Sequence, residues 1–287
     1  MSAERPVVLA VGAHPDDVEF LFGGTLVALR ESQGDNLDIY MITVCNGNMG
    51  SMELKPAELR AARWNESLDA AAVIGAYYDT CDINDLRAHD DYFLARDILV
   101  ARVRQIKPDI VMTHTPNDRY MPDHRETPWI VSDALFCAML PNYDPYERNP
   151  ESGTRRTAEG GIPRYVYEGD RHPLPALYYG DPFPGHDIFG ERQQPTFILD
   201  ISGGMGTKVD MLLKHKSQGA WLASGHGDSD YIKTAREWNA QWGQEGSPLT
   251  TYFEAFLRHQ GAPYPQDARL ENLLPEDKIM MMGQGSW

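Results

Sequence analysis

The residues whose types and spacing could do chemistry begin at Gly12-Ala13-His14-Pro15-Asp16-Asp17-Val18-Glu19. A histidine and an aspartate three residues apart can face one point and bind a divalent metal, while Asp16 between them stays free to handle protons. The same stretch also suits an ordinary helix start. In that case Pro15 takes a first helical position, and Asp16 and Asp17 sit at the positive end of the helix dipole. A catalytic zinc site usually has three protein ligands and an open position, so a third ligand is expected on another strand end. His114 and His124 bracket the loop from Thr115 to Asp123 and are both candidates; spacing alone does not choose between them.

The elements that must position these groups follow an α/β rhythm. The apolar, β-branched run Val7 to Val11 reads as a buried strand, and the stretch after it opens a helical period through Leu26 and Leu29. The chemistry-bearing turn therefore lies at the carboxyl end of a strand, where open α/β sheets bind ligands. A second strand is expected over Leu37 to Val44, ending in the loop Cys45 to Gly50. An alanine-rich helix follows from Ala57 to Ile74, with Gly75 as its stop. Phe93, Leu94, Ile98, Val103 and Ile106 mark another helix ended by Pro108. A strand is then expected over Asp109 to His114, and a helical pattern over Trp129 to Leu140. Such alternation predicts one doubly wound, Rossmann-like domain over residues 1–287, with a mostly parallel sheet flanked by helices.

Residues 141–195 break the rhythm. Proline and glycine are too dense there for long regular elements, although Ala176 to Gly180 could form one short strand. The excursion carries Tyr143, Tyr146, Tyr165, Tyr167, Tyr178, Tyr179, Phe183 and Phe189, and reads either as a substrate-side wall or as a locally packed loop region. Strand character returns over Thr196 to Ile201. Ser202 is expected to cap a helix bearing Val209, Leu212, Leu213 and His215, and the Gly203-Gly204-Met205-Gly206 run fits no phosphate loop and reads as a turn. Helices are expected around Tyr231 to Trp242 and Thr251 to Arg258. The tail over residues 260–287 reads as a surface wrap or a subunit contact, which leaves a homo-oligomer open.

A net charge of -16 argues against nucleic acid or an anionic membrane as partner, because polyanion binding needs Lys and Arg to replace counterions. A small molecule fits better. The three cysteines, Cys45, Cys81 and Cys137, form no CxxC pair and no disulfide framework, which suits a reducing cytoplasm. No signal-peptide layout and no membrane-length apolar run is present, so an unprocessed protein without membrane insertion is expected.

Four short motifs, in order, carry a family resemblance. His14-Pro15-Asp16-Asp17 followed by Gly23-Gly24-Thr25 resembles the signature of the LmbE/PIG-L family of zinc-dependent N-acetylglucosaminyl deacetylases. Arg63, Glu66, Ala70, Ala71, Ile74 and Gly75 resemble that family's RxxExxxAAxxLG helix. Pro122-Asp123-His124 resembles the end of its HPDH motif, and His215-Lys216-Ser217-Gln218 its late HxSQ motif.

The resemblance implies that His14, Asp17 and His124 bind one zinc ion and that Asp16 is the general base, with Arg63, Met121 and Asp123 on the substrate side of the pocket. It implies removal of an N-acetyl group from an N-acetylglucosamine-type sugar or glycoconjugate. An amidase acting on another acylated amine and a non-catalytic small-molecule binding protein are the alternatives. One departure bears on the chemistry. Met121 stands where the family motif usually begins with histidine, and its thioether cannot donate a hydrogen bond to an oxyanion. His215, His114, Tyr120 and Arg119 are candidates for the missing donor; His215 is favoured because its motif resembles one the family retains. Asp123, which would orient that histidine in relatives, has no evident role here.

Overall fold

The computed structural model of the chain describes residues 5–118, 120–145, 171–182, 185–187, 189–225, 231–242 and 251–282. Eight strands form one sheet in the order β3-β2-β1-β4-β5-β7-β6-β8. The parallel part comprises β1 (Val7–Gly12), β2 (Asp38–Cys45), β3 (Tyr77–Ile83), β4 (Ile110–Thr113) and β5 (Ala176–Gly180). Then β6 (Phe197–Asp200), β7 (Phe253–Arg258) and β8 (Ile279–Met281) extend it in antiparallel register. The fold is the mostly parallel α/β sheet expected, with an antiparallel extension.

Helices cover both faces, which is why β1 is apolar throughout rather than alternating. Val8 and Ala10 share a core with Phe22 and Leu26 of α1 (Asp17–Gln33), while Leu9 and Val11 share the opposite core with Leu99 and Val103 of α3 (Tyr92–Ile106) and Ile130 of α4 (Pro122–Met139). The second helix, α2, spans Pro56–Ala72, and the C-terminal third adds α5 (Met205–Leu212), α6 (Lys216–Gly225) and α7 (Tyr231–Ala240). Because β2 lies on one side of β1 and β4 on the other, connections leave β1 and β4 in opposite directions. A crevice opens at their carboxyl ends, the usual ligand position in such sheets. Among the described residues no helix is long and apolar enough to cross a membrane.

Three local expectations are corrected and one strand was not anticipated. Residues 253–258, expected as helix, are strand β7: Phe253 and Ala255 pack with Ile198, and Phe256 enters the other core. Four apolar residues in six fit either period, and pairing with β5 and β6 decides the matter. Strand β3 was hidden by Asp79 and Asp82, whose charges are held at the sheet edge by Arg102 at 2.5 Å and Arg60 at 2.6 Å. Ser202 does not cap α5; its Oγ accepts the Tyr252 N–H at 2.9 Å, and Gly204 takes the cap position. The tail does not merely wrap the surface. It buries Leu270 and Leu274 and ends in the edge strand β8 on β6.

Candidate active site

The turn after β1 is tightly built. A Cβ at Gly12 would lie 2.9 Å from Asp17 Cβ, so only glycine lets the chain fold back here. The His14 N–H donates to Asp17 Oδ2 at 2.7 Å, aiming that carboxylate back over the turn. Asp16 is the N-cap of α1, yet its side chain makes no capping bond, and its backbone is left-handed at φ 103. For a non-glycine residue this is a strained conformation of the kind that collects at functional sites. Pro15 precedes the cap and stands outside the helix, so the turn is not the plain helix start its composition allowed.

Two histidines and one carboxylate converge beside this turn. The ligating atoms of His14, Asp17 and His124 all lie within 4.8 Å of one another. Asp17 sits between the rings, with Oδ2 3.6 Å from His14 Nδ1 and Oδ1 3.4 Å from His124 Nε2. The remaining ring nitrogens are held from behind: His14 Nε2 lies 2.9 Å from Asp123 Oδ2, and His124 Nδ1 lies 3.1 Å from Asp118 Oδ2. A carboxylate behind each ligating histidine fixes its tautomer and orientation, as metal sites require. His114 is differently engaged. Its Nε2 lies 3.1 Å from the Ala13 amide nitrogen, which donates to it, and 3.3 Å from Asp17 Oδ2, and its Nδ1 lies 3.1 Å from Asp118 Oδ2, so both nitrogens already have protein partners.

The electrostatics suit a cation. Burial would raise the Asp17 carboxyl, but the His124 and His114 imidazoles together outweigh it and hold Asp17 well below the ordinary carboxylate value. Burial would likewise lower His14 and His124. The carboxylates around them win, so His14 is raised well above 6.5 and His124 to about 10. Protons gather where a divalent ion would neutralise the same carboxylates. Asp16 behaves oppositely: burial and the neighbouring Asp17 charge push its carboxyl up to about 6, against the opposing pull of His215, Arg63 and Tyr231.

A cavity of about 570 Å³ opens onto His14, Asp16, Asp17 and His124. Tyr120 and Met121 line it from the α4 side, and Arg63 lines it from α2. Arg63 is buried, bonded through Nη2 to Gln218 Oε1, and its Nε has no hydrogen-bond partner among the described residues. Gly47, at φ 76, leaves room for it; a Cβ there would collide with Arg63 Cδ. Two motifs about 150 residues apart interlock here, because Glu66 of α2 also accepts the Ser217 N–H at 2.9 Å and the Ser217 hydroxyl at 2.6 Å. The glycine pair serves close packing. A Cβ at Gly24 would lie 2.6 Å from Ile201, and the Gly24 and Thr25 amides donate to Glu254.

Asp123 and His215 are not on the cavity wall. Asp123 is fully buried behind His14 and also accepts the Leu86 and Ala88 amides, so it holds a ring other than the one missing at position 121. His215 is buried beneath Asp16, with Nε2 2.9 Å from Glu19 Oε1. The aromatic excursion is also displaced from expectation. Tyr143 bonds Asp97, Tyr178 and Tyr179 lie in β5, and Phe189 is exposed; none of these lines the cavity. Tyr146, Tyr165, Tyr167, Phe183 and the donor candidate Arg119 lie outside the described residues. The aromatic wall is instead Trp221 of α6 with Tyr231 and Trp238 of α7, residues that helical spacing marks only as packing positions. Asp118 was also passed over, although it lies in the loop that leads into the helix bearing His124.

Comparisons with known proteins agree with this fold. Residues 9–135 match the family described as PIG-L: GlcNAc-PI de-N-acetylase. The chain is 26% identical over 218 residues to the diacetylchitobiose deacetylase of Thermococcus kodakarensis, covering 74% of this chain and 69% of that protein. Among solved structures, the N,N'-diacetylchitobiose deacetylase of Pyrococcus horikoshii superposes with a TM-score of 0.66 at 21% identity, over 91% of this chain and 87% of that one. The 4-carboxy-2-hydroxymuconate hydratase of Pseudomonas putida KT2440 superposes at 0.64 and 20% identity, over 92% of this chain and 100% of that one. The match runs from β1 through most of α4, so residues 9–135 are similar to the PIG-L family, and the fold is shared with these structures over 91–92% of the chain.

Proposed function

We infer that the chain is a zinc-dependent hydrolase that removes an N-acetyl group from an N-acetylglucosamine-type sugar or glycoconjugate. The observation that carries this reading is the convergence of His14, Asp17 and His124 beside a strained, non-capping Asp16 at the floor of one cavity. A three-donor His, Asp, His set with a carboxylate behind each imidazole fits zinc. When bound there, zinc would supply Lewis-acid polarisation of the acyl carbonyl and activation of the attacking water.

The chain's own groups do the rest. The Asp16 carboxylate takes the proton of the attacking water, and the resulting carboxyl returns a proton to the departing amine nitrogen. Trp221, Tyr231 and Trp238 offer flat apolar faces suited to a sugar ring. Tyr120, whose side chain lines the cavity 5.6 Å from the His124 ring centroid to centroid, is the candidate donor to the developing oxyanion in place of Met121. His215 serves through Asp16, whose carboxyl it draws down, rather than by touching substrate. A cytoplasmic location belongs to the same reading, since all three cysteines are free.

The hydratase fold neighbour offers a second reading, water addition to an unsaturated acid. A substrate such as 4-carboxy-2-hydroxymuconate carries several carboxylates. The cavity is lined by Asp16, Asp17, Asp85 and Asp118 against one arginine among the described residues, Arg63, which favours a neutral ligand over a polycarboxylate. The test is amine release from N-acetyl sugars, other N-acyl sugars and N-acyl amino compounds by zinc-loaded protein, alongside the ultraviolet change on hydration of 4-carboxy-2-hydroxymuconate. Amine from the N-acetyl sugars supports the reading. Amine only from non-sugar amides, or hydration alone, replaces it.

A further inference from the structure

The carboxylate assigned as base is not held by its own helix. An aspartate at a helix N-cap ordinarily accepts an amide from the first turn, but Asp16 makes no such bond. Its Oδ2 instead accepts the Tyr231 hydroxyl at 2.8 Å, across 215 residues of chain. Tyr231 is the first residue of α7, well beyond the segment matched to the family.

The approach of α7 to the turn is itself secured. The Tyr231 ring lies 5.6 Å from Phe20, and Phe20 stacks on Trp238 at 5.3 Å, so two residues of α7 grip the first turn of α1. From the other side Lys208 Nζ donates to the Phe20 carbonyl at 2.7 Å. Tyr231, Thr234 and Trp238 all face the cavity, at a spacing that puts them on one stripe of α7. The helix that walls the cavity therefore also reaches the base.

We propose that Tyr231 is the positioning residue of Asp16: its hydroxyl pins one carboxylate oxygen by a hydrogen bond and leaves the other aimed at the water. This rests on the reading of Asp16 as general base. A carboxylate at a strained, uncapped position has no other fixed partner among its own helix's amides, so without the phenol it samples several rotamers. A base held in place shortens the search for reactive geometry, and a misplacement of about 1 Å can lower the rate by about 100-fold.

The test is Tyr231→Phe, which keeps the ring against Phe20 and removes only the hydroxyl. Zinc content stays at the wild-type level, kcat on the best N-acetyl sugar falls by about 10-fold or more, and KM stays within about 2-fold. In an Asp16→Ala background the same substitution adds no further loss in single-turnover amine release. An equal loss in both backgrounds, or a change confined to KM, overturns the proposal. An arm independent of turnover uses metal-free protein carrying tyrosine labelled with carbon-13 at Cζ. The Tyr231 resonance, identified by its disappearance in Tyr231→Phe, moves in Asp16→Ala while the other tyrosine resonances stay; an unmoved resonance overturns the proposal. If the wild-type protein releases no amine and the resonance still moves, the deacetylase reading falls and the Tyr231–Asp16 pairing is upheld.

Discussion

Asp123 Oδ2 lies 2.9 Å from His14 Nε2, joining two residues 109 positions apart. The carboxylate is fully buried and held by the Leu86 and Ala88 amides at 2.7 and 3.2 Å, so it has little freedom to follow any other ring. It fixes the face His14 turns toward Asp17. Asp123→Asn is expected to weaken zinc binding about 10- to 100-fold with the fold intact, read by chelator competition. Unchanged affinity would show that His14 is oriented by the turn alone.

His114 and His124 separate by the same logic. His124→Ala is expected to abolish stoichiometric zinc retention. His114→Ala should keep the ion but lose about 1–3 kcal/mol of stability, since the buried Ala13 amide would be left without its partner and Asp118 would keep only His124 and the Tyr120 amide. Elemental analysis after dialysis, with urea unfolding of both variants, gives the answer. Zinc lost from His114→Ala and kept by His124→Ala would reverse the assignment.

Met121 is the N-cap residue of α4 and lines the cavity. Met121→His adds a donor there, and kcat/KM on N-acetyl sugars is expected to hold or rise, by up to roughly 100-fold if the donor reaches the oxyanion. A collapse in activity with unchanged circular dichroism would mean that the cavity has been rebuilt for other chemistry.

Asp181 gives a pH signature remote from the metal ligands. Burial pushes its carboxyl up to about 6, partly opposed by the Trp242 indole N–H at 3.0 Å. Between 3.8 and about 6 the folded protein keeps a proton that the unfolded chain has released, so this group's contribution to stability falls as pH rises through that window. Asp181→Asn should therefore be more stable than wild type at neutral pH, by up to about 3 kcal/mol, with the difference vanishing below the window. Thermal melts across that range decide it; a variant destabilised equally at every pH would contradict the shift.

Lys208 is fully buried with Nζ 2.8 Å from Glu254 Oε1, beneath the Gly23-Gly24-Thr25 turn of α1. Removing one member of a buried pair leaves the other charge without compensation. Lys208→Met is expected to lose roughly 3–5 kcal/mol in urea unfolding. A loss under about 1 kcal/mol would mean that the Gly24 and Thr25 amides alone satisfy Glu254.

Much of this was legible in the chain. Val7 to Val11 read as a strand because burial on both faces demands an unbroken apolar run, and β1 is that strand. Residues 253–258 misled because Phe253, Ala255, Phe256 and Leu257 satisfy two periods at once, and β3 was missed because edge charges find partners only across the fold. The aromatic wall was sought in the excursion 141–195, where the residues are most concentrated. It lies on α6 and α7 because helical spacing, not density, turned Tyr231, Thr234 and Trp238 to one face.

The sequence by itself determined the turn at the end of β1, the donor types within it and the α/β alternation that places it at a sheet edge. These depend on contacts between near neighbours, which spacing encodes directly. Tertiary structure alone decided that His114 takes the Ala13 amide while both His114 and His124 come to Asp17, that Asp123 backs His14, and that Asp16 is held by Tyr231 instead of capping its helix. Each is a choice of hydrogen-bond partner among chemically equal candidates. Only the path by which distant elements return to one point makes such a choice, and no local pattern of residues records it.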